Sequence, residues 1–251
     1  MKNNVNQREF NGKESRANKY FSMLMVAIII IGIGYSAGYR VGKFGIGKLG
    51  SVEIVIPIQN TDVFVDQESK ISTTADNKTV KIPLTPTEHQ IIISAKGDYP
   101  WTKKFVTSSG VSKVLSPLLI PVNVHGLIIT QKDPEYISLI NKIKNSKLPN
   151  KTSDASLWVE NNIIYTKDAT DISNQVIAPE PAIKNVAFYK NRTDAVLFSA
   201  GDSVFVIETE ANSDHVQNIF PIYKGTDPYF IETDPNSIYV LDGTTLMQVA
   251  I

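Results

Sequence analysis

The sequence predicts a mainly β protein that is attached to a membrane by one N-terminal helix. Three observations support this fold class. An uncharged run extends from Tyr20 to Tyr39, apolar and polar residues alternate from Ser51 onward, and a unit of about 42 residues recurs in the C-terminal part. The predicted order is therefore a transmembrane helix, a small antiparallel β-sandwich and an incomplete set of β-rich repeats.

The composition limits the classes of function. The chain has 25 basic and 25 acidic residues, a formal net charge of zero and no cysteine. A balanced charge argues against a polycationic nucleic-acid-binding protein. The lack of cysteine excludes a thiol nucleophile and is consistent with an extracytoplasmic location, which it does not establish.

The run from Tyr20 to Tyr39 lies between Lys19 and Arg40. A helix of this length, at about 1.5 Å per residue, matches a hydrocarbon core of about 30 Å. Tyr20, Tyr35 and Tyr39 occur where aromatic rings settle at the two membrane interfaces. A cleaved signal peptide is the main alternative, but the run is long for one and has no A-x-A cleavage pattern, so an uncleaved anchor is favoured.

The flanking cations predict the orientation of this helix. Five precede it and three follow it: Lys2, Arg8, Lys13, Arg16 and Lys19, then Arg40, Lys43 and Lys48. The excess predicts a single-pass cell-membrane protein with a cytoplasmic N-terminus and extracytoplasmic C-terminal domains. Residues 1–19 are expected to form a disordered tail, and residues 40–50 a flexible Gly-rich linker.

Small residues near the end of the predicted anchor indicate a helix–helix contact. Gly34 and Gly38 are one helical turn apart, a spacing that lets two transmembrane backbones approach closely. The sequence therefore predicts a homo-oligomer as one of the alternatives for this protein.

Residues 51–121 have the pattern of short strands bounded by turn residues. Strands are expected at Ser51–Ile56, Val63–Val65, Thr79–Leu84, Gln90–Ala95 and Lys103–Thr107. The polar residues from Gln67 to Lys78 separate the second strand from the third. Strands of this length and spacing predict a small antiparallel β-sandwich.

This segment resembles the PEGA domain, a small β-sandwich module found outside the membrane on surface-attached proteins. The resemblance covers about residues 50–121 and depends on Val52-x-Ile54-x-Ile56-Pro57, Val63-x-Val65-Asp66, Glu88 to Ile93, Gly97 to Trp101 and Leu115-Ser116-Pro117. The eponymous Pro-Glu-Gly-Ala is here Pro57-Ile58-Gln59-Asn60, and Gln67 stands where Gly usually follows the Asp. The resemblance implies no catalytic role.

Residues 122–152 are interpreted as a connector with a strand at Leu127–Ile129 and a short helix. Asp133 and Pro134 form a helix-start pattern, with Asp as the N-cap and Pro at the first helical position. Ile137, Ile140 and Ile143 are expected to lie on one face of this helix, which ends before Pro149.

From residue 153 to 251 the chain repeats itself. Asn185–Val206 aligns without a gap on Asp227–Gln248, and Leu157–Tyr165 aligns on Leu197–Phe205. A period of about 40–45 residues with several strands is typical of β-propeller blades. The repeat is similar to extracytoplasmic Tol-associated propellers through Asn185 to Phe188, Asn191 to Asp194 and Val196 to Phe198.

The sequence contains about two and a half such units, whereas a closed propeller has about four to eight blades. The chain also stops on an apolar strand, Leu246–Ile251, which is expected to leave an open edge. Two explanations remain: a chain truncated from a longer protein, which is favoured, or a ring completed by identical chains.

No catalytic, cofactor-binding or metal-binding residue is predicted. His89, His125 and His215 lack metal-ligand spacing, Asp62 and Asp66 fit turn positions, and the segment Gly42–Lys48 is followed by Leu49 where a phosphate-binding loop has Ser or Thr. Tyr99 and Trp101 are expected to pack in the core or at a sheet edge.

The predicted function is a non-catalytic binding or scaffold protein of the cell envelope. Its expected partners are the lipid bilayer and an envelope protein or cell-wall glycan, with no nucleic acid. The alternatives are a truncated propeller protein that acts as an enzyme or transport accessory, and a purely structural surface spacer.

Overall fold

The computed structural model describes residues 5–42, 45–57, 60–67, 69–72, 79–152, 156–167, 171–210, 216–234 and 236–251. Over these ranges the protein is mainly β, with one N-terminal apolar helix and six small sheets, none closed into a barrel. The chain divides into two compact units. The first comprises Met1–Glu53, Lys81–Thr87 and Val106–Val114, and the second Ile54–Val80, Glu88–Phe105 and Leu115–Ile251.

Helix α1 extends from Val5 to Ser36, so the prediction of a disordered tail over residues 1–19 was wrong from Val5 onward. Its Asn18–Ser36 part, 19 residues, is long and apolar enough to cross a membrane, and none of it is buried in the protein. The helix ends before Tyr39 because Gly38 adopts a φ of +87°, a left-handed conformation that glycine tolerates best.

A β-hairpin follows α1 at once, where a flexible linker was predicted. Strand β1, Tyr39–Gly42, pairs antiparallel with β2, Gly45–Lys48. Residues 43 and 44, which belong to the same predicted linker, lie outside the described residues.

Two sheets are formed by the segment predicted as a β-sandwich. Sheet A has the order β6-β3-β9, with β3 at Gly50–Val55, β6 at Thr79–Leu84 and β9 at Ser112–Leu115. Sheet B has the order β5-β4-β7-β8, with β4 at Thr61–Val65, β5 at Ser69–Ser72, β7 at Glu88–Ala95 and β8 at Trp101–Val106. The five predicted strands are confirmed, whereas β5 and β9 were not predicted.

Strand β10, Gly126–Ile129, and helix α2, Tyr136–Asn145, lie in the predicted connector. The predicted start of α2 was wrong. Asp133 does not cap the helix, because its carboxylate accepts hydrogen bonds from the amide and hydroxyl of Thr130 instead. The predicted face was also wrong in part, since Ile137 is 70% exposed while Leu139 and Ile143 are buried.

The C-terminal region forms three sheets whose strands follow each other along the chain. Sheet C contains β11 (Leu157–Glu160), β12 (Ile163–Lys167) and β13 (Ser173–Ile177). Sheet D contains β14 (Ile183–Phe188), β15 (Ala195–Ala200), β16 (Ser203–Glu208) and β17 (Ile219–Lys224), with a short 3₁₀ helix at Tyr189–Asn191. Sheet E contains β18 (Pro228–Asp234), β19 (Ser237–Asp242) and β20 (Thr245–Ala250).

The repeat found in the sequence is present in these strands. Strands β15 and β16 align with β19 and β20 at the same spacing that relates Asn185 to Asp227. The tight turn between them has Gly201 at φ +59° in sheet D and Gly243 at φ +60° in sheet E. In sheet C the equivalent turn contains Asn161 and Asn162, both with positive φ.

The fourth strand of sheet E comes from upstream in the chain. β10 pairs antiparallel with β20, from Gly126 opposite Val249 to Ile129 opposite Leu246. The last strand is therefore enclosed between β10 and β19, and the expectation that it leaves an open edge was wrong.

The apolar residues of sheets C, D and E are buried in two clusters, one between sheets C and D and one between α2 and sheet E. Ile164 and Val176 of sheet C share a core with Val196 and Phe198 of sheet D. All six residues of β15 are buried, which requires cover on both faces of sheet D. Helix α2 covers sheet E, where Leu139 and Ile143 pack on Tyr239, Leu241 and Leu246.

Candidate functional site

The predicted membrane-interface tyrosines occupy two different elements. Tyr20 and Tyr35 lie on α1 and are 72% and 63% exposed, whereas Tyr39 is the first residue of β1. Gly34 is in the last turns of α1, but Gly38 lies beyond the helix end. The two glycines therefore do not form one helical face, and a role for them in helix–helix contact stays a prediction.

Arg40 closes the end of α1, which sequence reasoning missed. Its Nη1 donates to the carbonyl oxygens of Tyr35 at 2.7 Å and Tyr39 at 2.8 Å, and its guanidinium carbon lies 3.5 Å from the centroid of the Tyr35 ring. The last carbonyls of a helix carry partial negative charge and lack partners within the helix. A cation at this position therefore stabilises the helix end and also contacts an aromatic face.

A cavity lies between the first strands of sheets D and E. This β14–β18 cleft has a volume of about 430 Å³ and is lined by Ser146, Lys147, Asn185, Val186, Ala187, Phe188, Asn191, Phe230, Ile231, Glu232 and Thr233. It mixes amide, hydroxyl, amine, carboxylate and aromatic groups. Such a lining suits a ligand with several hydroxyl or amide groups and some apolar surface.

Asn185 organises the floor of the β14–β18 cleft and is buried. Its Nδ2 donates to Ser146 Oγ at 2.6 Å, and its Oδ1 accepts from the Phe230 amide at 3.1 Å. The backbone N–H of Asn185 donates to Ser199 Oγ at 3.1 Å. One side chain thus connects sheet D, sheet E and the residue after α2, so these elements keep a defined spacing.

Ser146 also borders a second cavity, of about 340 Å³, which is named the α2 cleft. Its lining residues are Ile143, Lys144, Ser146, Asp227, Tyr229, Leu241 and Gly243. Lys184 Nζ forms an ion pair with Asp227, donates to the Gly201 carbonyl at 2.6 Å and lies 5.3 Å from the Tyr229 ring centroid. Asp227 is thereby held at the rim of the cleft.

The loop before β18 is held by Asp242. Its carboxylate accepts the backbone amides of Thr226 and Asp227, and it also accepts the Tyr223 hydroxyl at 3.0 Å. Burial works against the charged form of Asp242, but these hydrogen bonds outweigh burial and lower its pKa. Burial, together with the same contact, raises the pKa of Tyr223 to about 12.

Glu232, which lines the β14–β18 cleft, also contacts Lys190, which does not line it. Glu232 Oε1 accepts the backbone amide of Lys190 at 2.9 Å. Burial lowers the pKa of the Lys190 amine, the nearby Arg192 lowers it further, and Glu232 opposes the shift. Burial also raises the pKa of Tyr189 above its ordinary value.

A buried polar cluster joins sheet B to sheet D. Trp101 Nε1 donates to Glu208 Oε1 at 2.6 Å, and Asn218 Nδ2 donates to Glu208 Oε2 at 2.8 Å. Lys103 Nζ lies 3.6 Å from Glu208 Oε2, with both side chains below 10% exposure. The expected core packing of Trp101 is confirmed, and Tyr99 stacks on Phe220 with ring centroids 5.6 Å apart.

Arg192 makes a two-point contact with Asp194. The Nε and Nη2 atoms donate to the two carboxylate oxygens at 2.8 and 2.7 Å, and Nη2 also donates to the Ser116 carbonyl at 2.9 Å. The hydrogen bonds from Arg192 lower the pKa of Asp194 below 3.8, although burial partly opposes them. This arrangement holds the chain that follows β9 against sheet D.

The ion pair predicts an acid-dependent loss of stability. Because the folded-state pKa of Asp194 is depressed, its contribution is present above the unfolded pKa of about 3.8 and is lost as the pH falls through the folded value. Asp194→Asn should lower the free energy of unfolding at pH 7 by about 1 kcal/mol or less, since half of the side chain is exposed to screening solvent. This difference from the native protein should shrink as the pH falls below 3.8 and disappear once Asp194 is protonated in the folded protein as well.

Urea unfolding of the full chain in detergent, followed over this pH range, measures that difference. Glu180→Gln, which removes another exposed carboxylate of the same region, serves as the matched control. A difference for Asp194→Asn that stays constant from neutral to acid pH would contradict the assignment.

The structure describes two of the three histidines, His89 and His125. His89 is buried and its Nδ1 lies 2.7 Å from Asp66 Oδ2, while Asp62 accepts the Ser72 hydroxyl at 2.7 Å. His215 lies outside the described residues. Among the residues that the structure describes, no group of three or more His, Asp or Glu side chains is arranged to hold a metal ion.

Most residues of the clefts were missed by sequence reasoning. Asn185 and Phe188 were used only to align the repeats, and Ser146 belonged to a predicted connector. One signal was available, since a polar Asn at the start of an apolar strand indicates a buried hydrogen-bonding role. Comparison of the chain with models of known protein families and with curated proteins finds no match.

Proposed function

We propose that this chain is a single-pass membrane protein whose β region binds an envelope partner, a protein or a cell-wall glycan, without catalysing a reaction. One observation carries the proposal. A helix that is long and apolar enough to span a bilayer, and is unburied over Asn18–Ser36, precedes a β region with a polar cleft between two repeated sheets. An unburied apolar helix needs a lipid environment, whereas the cleft needs water.

The cation distribution supports a cytoplasmic N-terminus. More Lys and Arg residues precede the span than follow it in the nearby sequence. With this orientation the β region lies on the extracytoplasmic side, where wall polymers and the outer parts of envelope proteins are accessible.

The β14–β18 cleft is the proposed binding site. Its amide and carboxylate groups, Asn191 and Glu232, can form paired hydrogen bonds with sugar hydroxyls or with peptide groups. Phe188 supplies an apolar surface, and the exposed Lys147 adds a positive charge at the rim. The Asn185 hydrogen bonds hold the two walls at a set distance, which favours a preformed site.

The resemblances to known modules belong to this proposal. A PEGA-like module for residues 51–121 is supported by the strands of sheets A and B. Propeller-like repeats for residues 153–251 are supported by the consecutive antiparallel strands of sheets C, D and E and by the shared spacing of D and E.

Binding by the full-length protein in lipid nanodiscs tests this function. One arm uses isolated cell-wall glycan and the other uses detergent-solubilised envelope proteins from the same cells. Lys147→Glu should weaken binding by about tenfold, because it reverses the charge at the cleft rim.

Lys142→Glu is the matched control, since it makes the same change of charge on an exposed position of α2 that does not line the cleft. Failure of both arms to bind would leave the structural spacer as the better hypothesis. Equal losses for Lys142→Glu and Lys147→Glu would refute the assignment of the cleft.

A further inference from the structure

The β1–β2 hairpin is held directly at the end of α1. Only two residues separate the helix from β1, and the Leu49 amide after β2 donates to the Gly38 carbonyl at 3.1 Å. Both ends of the hairpin are thus attached to the same turn. Its position relative to the helix end is set by these bonds and not by a flexible linker.

The two faces of the hairpin differ in character. Side chains alternate along a strand, so Tyr39 and Val41 share a face with their cross-strand neighbours Lys48 and Ile46. On this face Val41 is 84% exposed, Ile46 is 74% exposed and Tyr39 is 46% exposed. Val41 is the most exposed large apolar side chain in the described part of the chain.

The opposite face carries Arg40 among glycines. Arg40 turns back to the helix, where it donates to the Tyr35 carbonyl at 2.7 Å and covers the Tyr35 ring. Arg and Tyr side chains favour the headgroup level of a bilayer, because their polar ends reach water while their apolar parts stay in contact with lipid. The Arg40–Tyr35 contact therefore marks the depth at which the hairpin begins.

We propose that the β1–β2 hairpin lies in the headgroup–hydrocarbon boundary of the bilayer that α1 crosses, with Tyr39, Val41 and Ile46 facing lipid. The inference rests on the proposed anchor. The lipid is favoured as the occupant of this face because the exposed residues continue directly from the apolar, unburied surface of Asn18–Ser36.

The boundary suits the hairpin better than the hydrocarbon core does. A two-stranded sheet has outward-pointing amide and carbonyl groups on both edges, and such groups are not tolerated in hydrocarbon without partners. At the boundary the backbone edges reach water and headgroups, while the apolar side chains enter the acyl region. This placement satisfies both kinds of group.

The absence of cysteine from the native chain allows a direct test. Single-cysteine variants of the full-length protein are labelled with the environment-sensitive dye NBD and placed in vesicles of phosphatidylcholine and phosphatidylglycerol. The vesicles carry spin-labelled lipids that quench either near the headgroups or deep in the bilayer. The variants are Val41→Cys and Ile46→Cys in the hairpin.

Two control positions calibrate the measurement. Ile29→Cys reports insertion of α1, and Val114→Cys, at an exposed residue of β9, reports a position in water. We expect the shallow quencher to act on the two hairpin labels about threefold more strongly than on the Val114 label, since an interfacial segment lies about 5–10 Å into the boundary. The deep quencher should act mainly on the Ile29 label.

Three other results would each contradict the inference, and each has a different meaning. Hairpin labels that behave like the Val114 label, while the Ile29 label is quenched, would place the hairpin in water but leave the anchor intact. A blue-shifted hairpin label that no lipid quencher reaches would mean cover by protein, such as a second copy of the chain. An unquenched Ile29 label would refute the anchor, and the proposed function with it.

Discussion

Replacing Glu208 by alanine is expected to lower the free energy of unfolding of the second compact unit by about 3–5 kcal/mol. The Glu208 carboxylate accepts from Trp101 and Asn218 and lies beside Lys103, and both charged side chains of this pair are nearly inaccessible to water. Removing the carboxylate leaves the buried Lys103 ammonium group, the buried Trp101 donor and the half-buried Asn218 donor with fewer partners. Buried polar groups without partners cost free energy because their lost hydration is not replaced.

Urea unfolding of the full-length protein in detergent, followed by tryptophan fluorescence, measures this effect. Both tryptophans, Trp101 and Trp158, belong to the second unit, so the signal reports on that unit. Glu210→Ala is the matched control because Glu210 also lies near Lys103, at 3.8 Å, but is 68% exposed.

The control should cost about 1 kcal/mol or less, as exposed ion pairs do. The double variant Lys103→Met with Glu208→Leu should recover part of the loss, since it removes the buried charges together. A cost for Glu208→Ala no larger than that for Glu210→Ala would contradict the role assigned to the cluster.

Replacing Ile143 by alanine is expected to cost about 2–4 kcal/mol, because it opens a cavity between α2 and sheet E. Ile143 is 1% exposed and packs in a cluster with Tyr239, Leu241 and Leu246. Without this cover, sheet E would expose an apolar face to water, which is unfavourable.

Urea unfolding followed by tryptophan fluorescence also measures the effect of Ile143→Ala, with Ile137→Ala as the matched control. This residue is on the same helix but is 70% exposed, so its loss should change the stability by about 0.5 kcal/mol or less. Equal effects for the two variants would mean that α2 does not cover sheet E as described.

The local patterns in the chain were informative where a single segment determines the structure. The uncharged run around Ile28 predicted an apolar helix, because such a helix is recognised from the length and hydrophobicity of one continuous segment. The alternation at Val52 and Ile54 predicted a strand with one buried face. The repeat that relates Asn185 to Asp227 predicted two sheets with corresponding strands, since segments of similar sequence pattern form similar structure.

Local patterns failed where a partner comes from a distant segment. Nothing near Leu127 indicates that β10 joins β20, because strand pairing depends on backbone groups that every residue carries. The same reason explains the missed β5 and β9. The prediction that Ile137 lies on the buried face of α2 was wrong. The spacing of three isoleucines suggested an apolar face, but the packing of the helix on sheet E decides which side chains are buried.

The sequence by itself determined that the protein is mainly β, with one apolar N-terminal helix and a repeated C-terminal region, because these properties follow from composition and periodicity along the chain. Only the tertiary structure decided which side chains meet. The Glu208 cluster, the Asn185 hydrogen bonds and the cleft beside Ser146 unite residues far apart in the sequence. Such sites depend on angles and distances of a few ångströms between packed sheets, which no local pattern encodes.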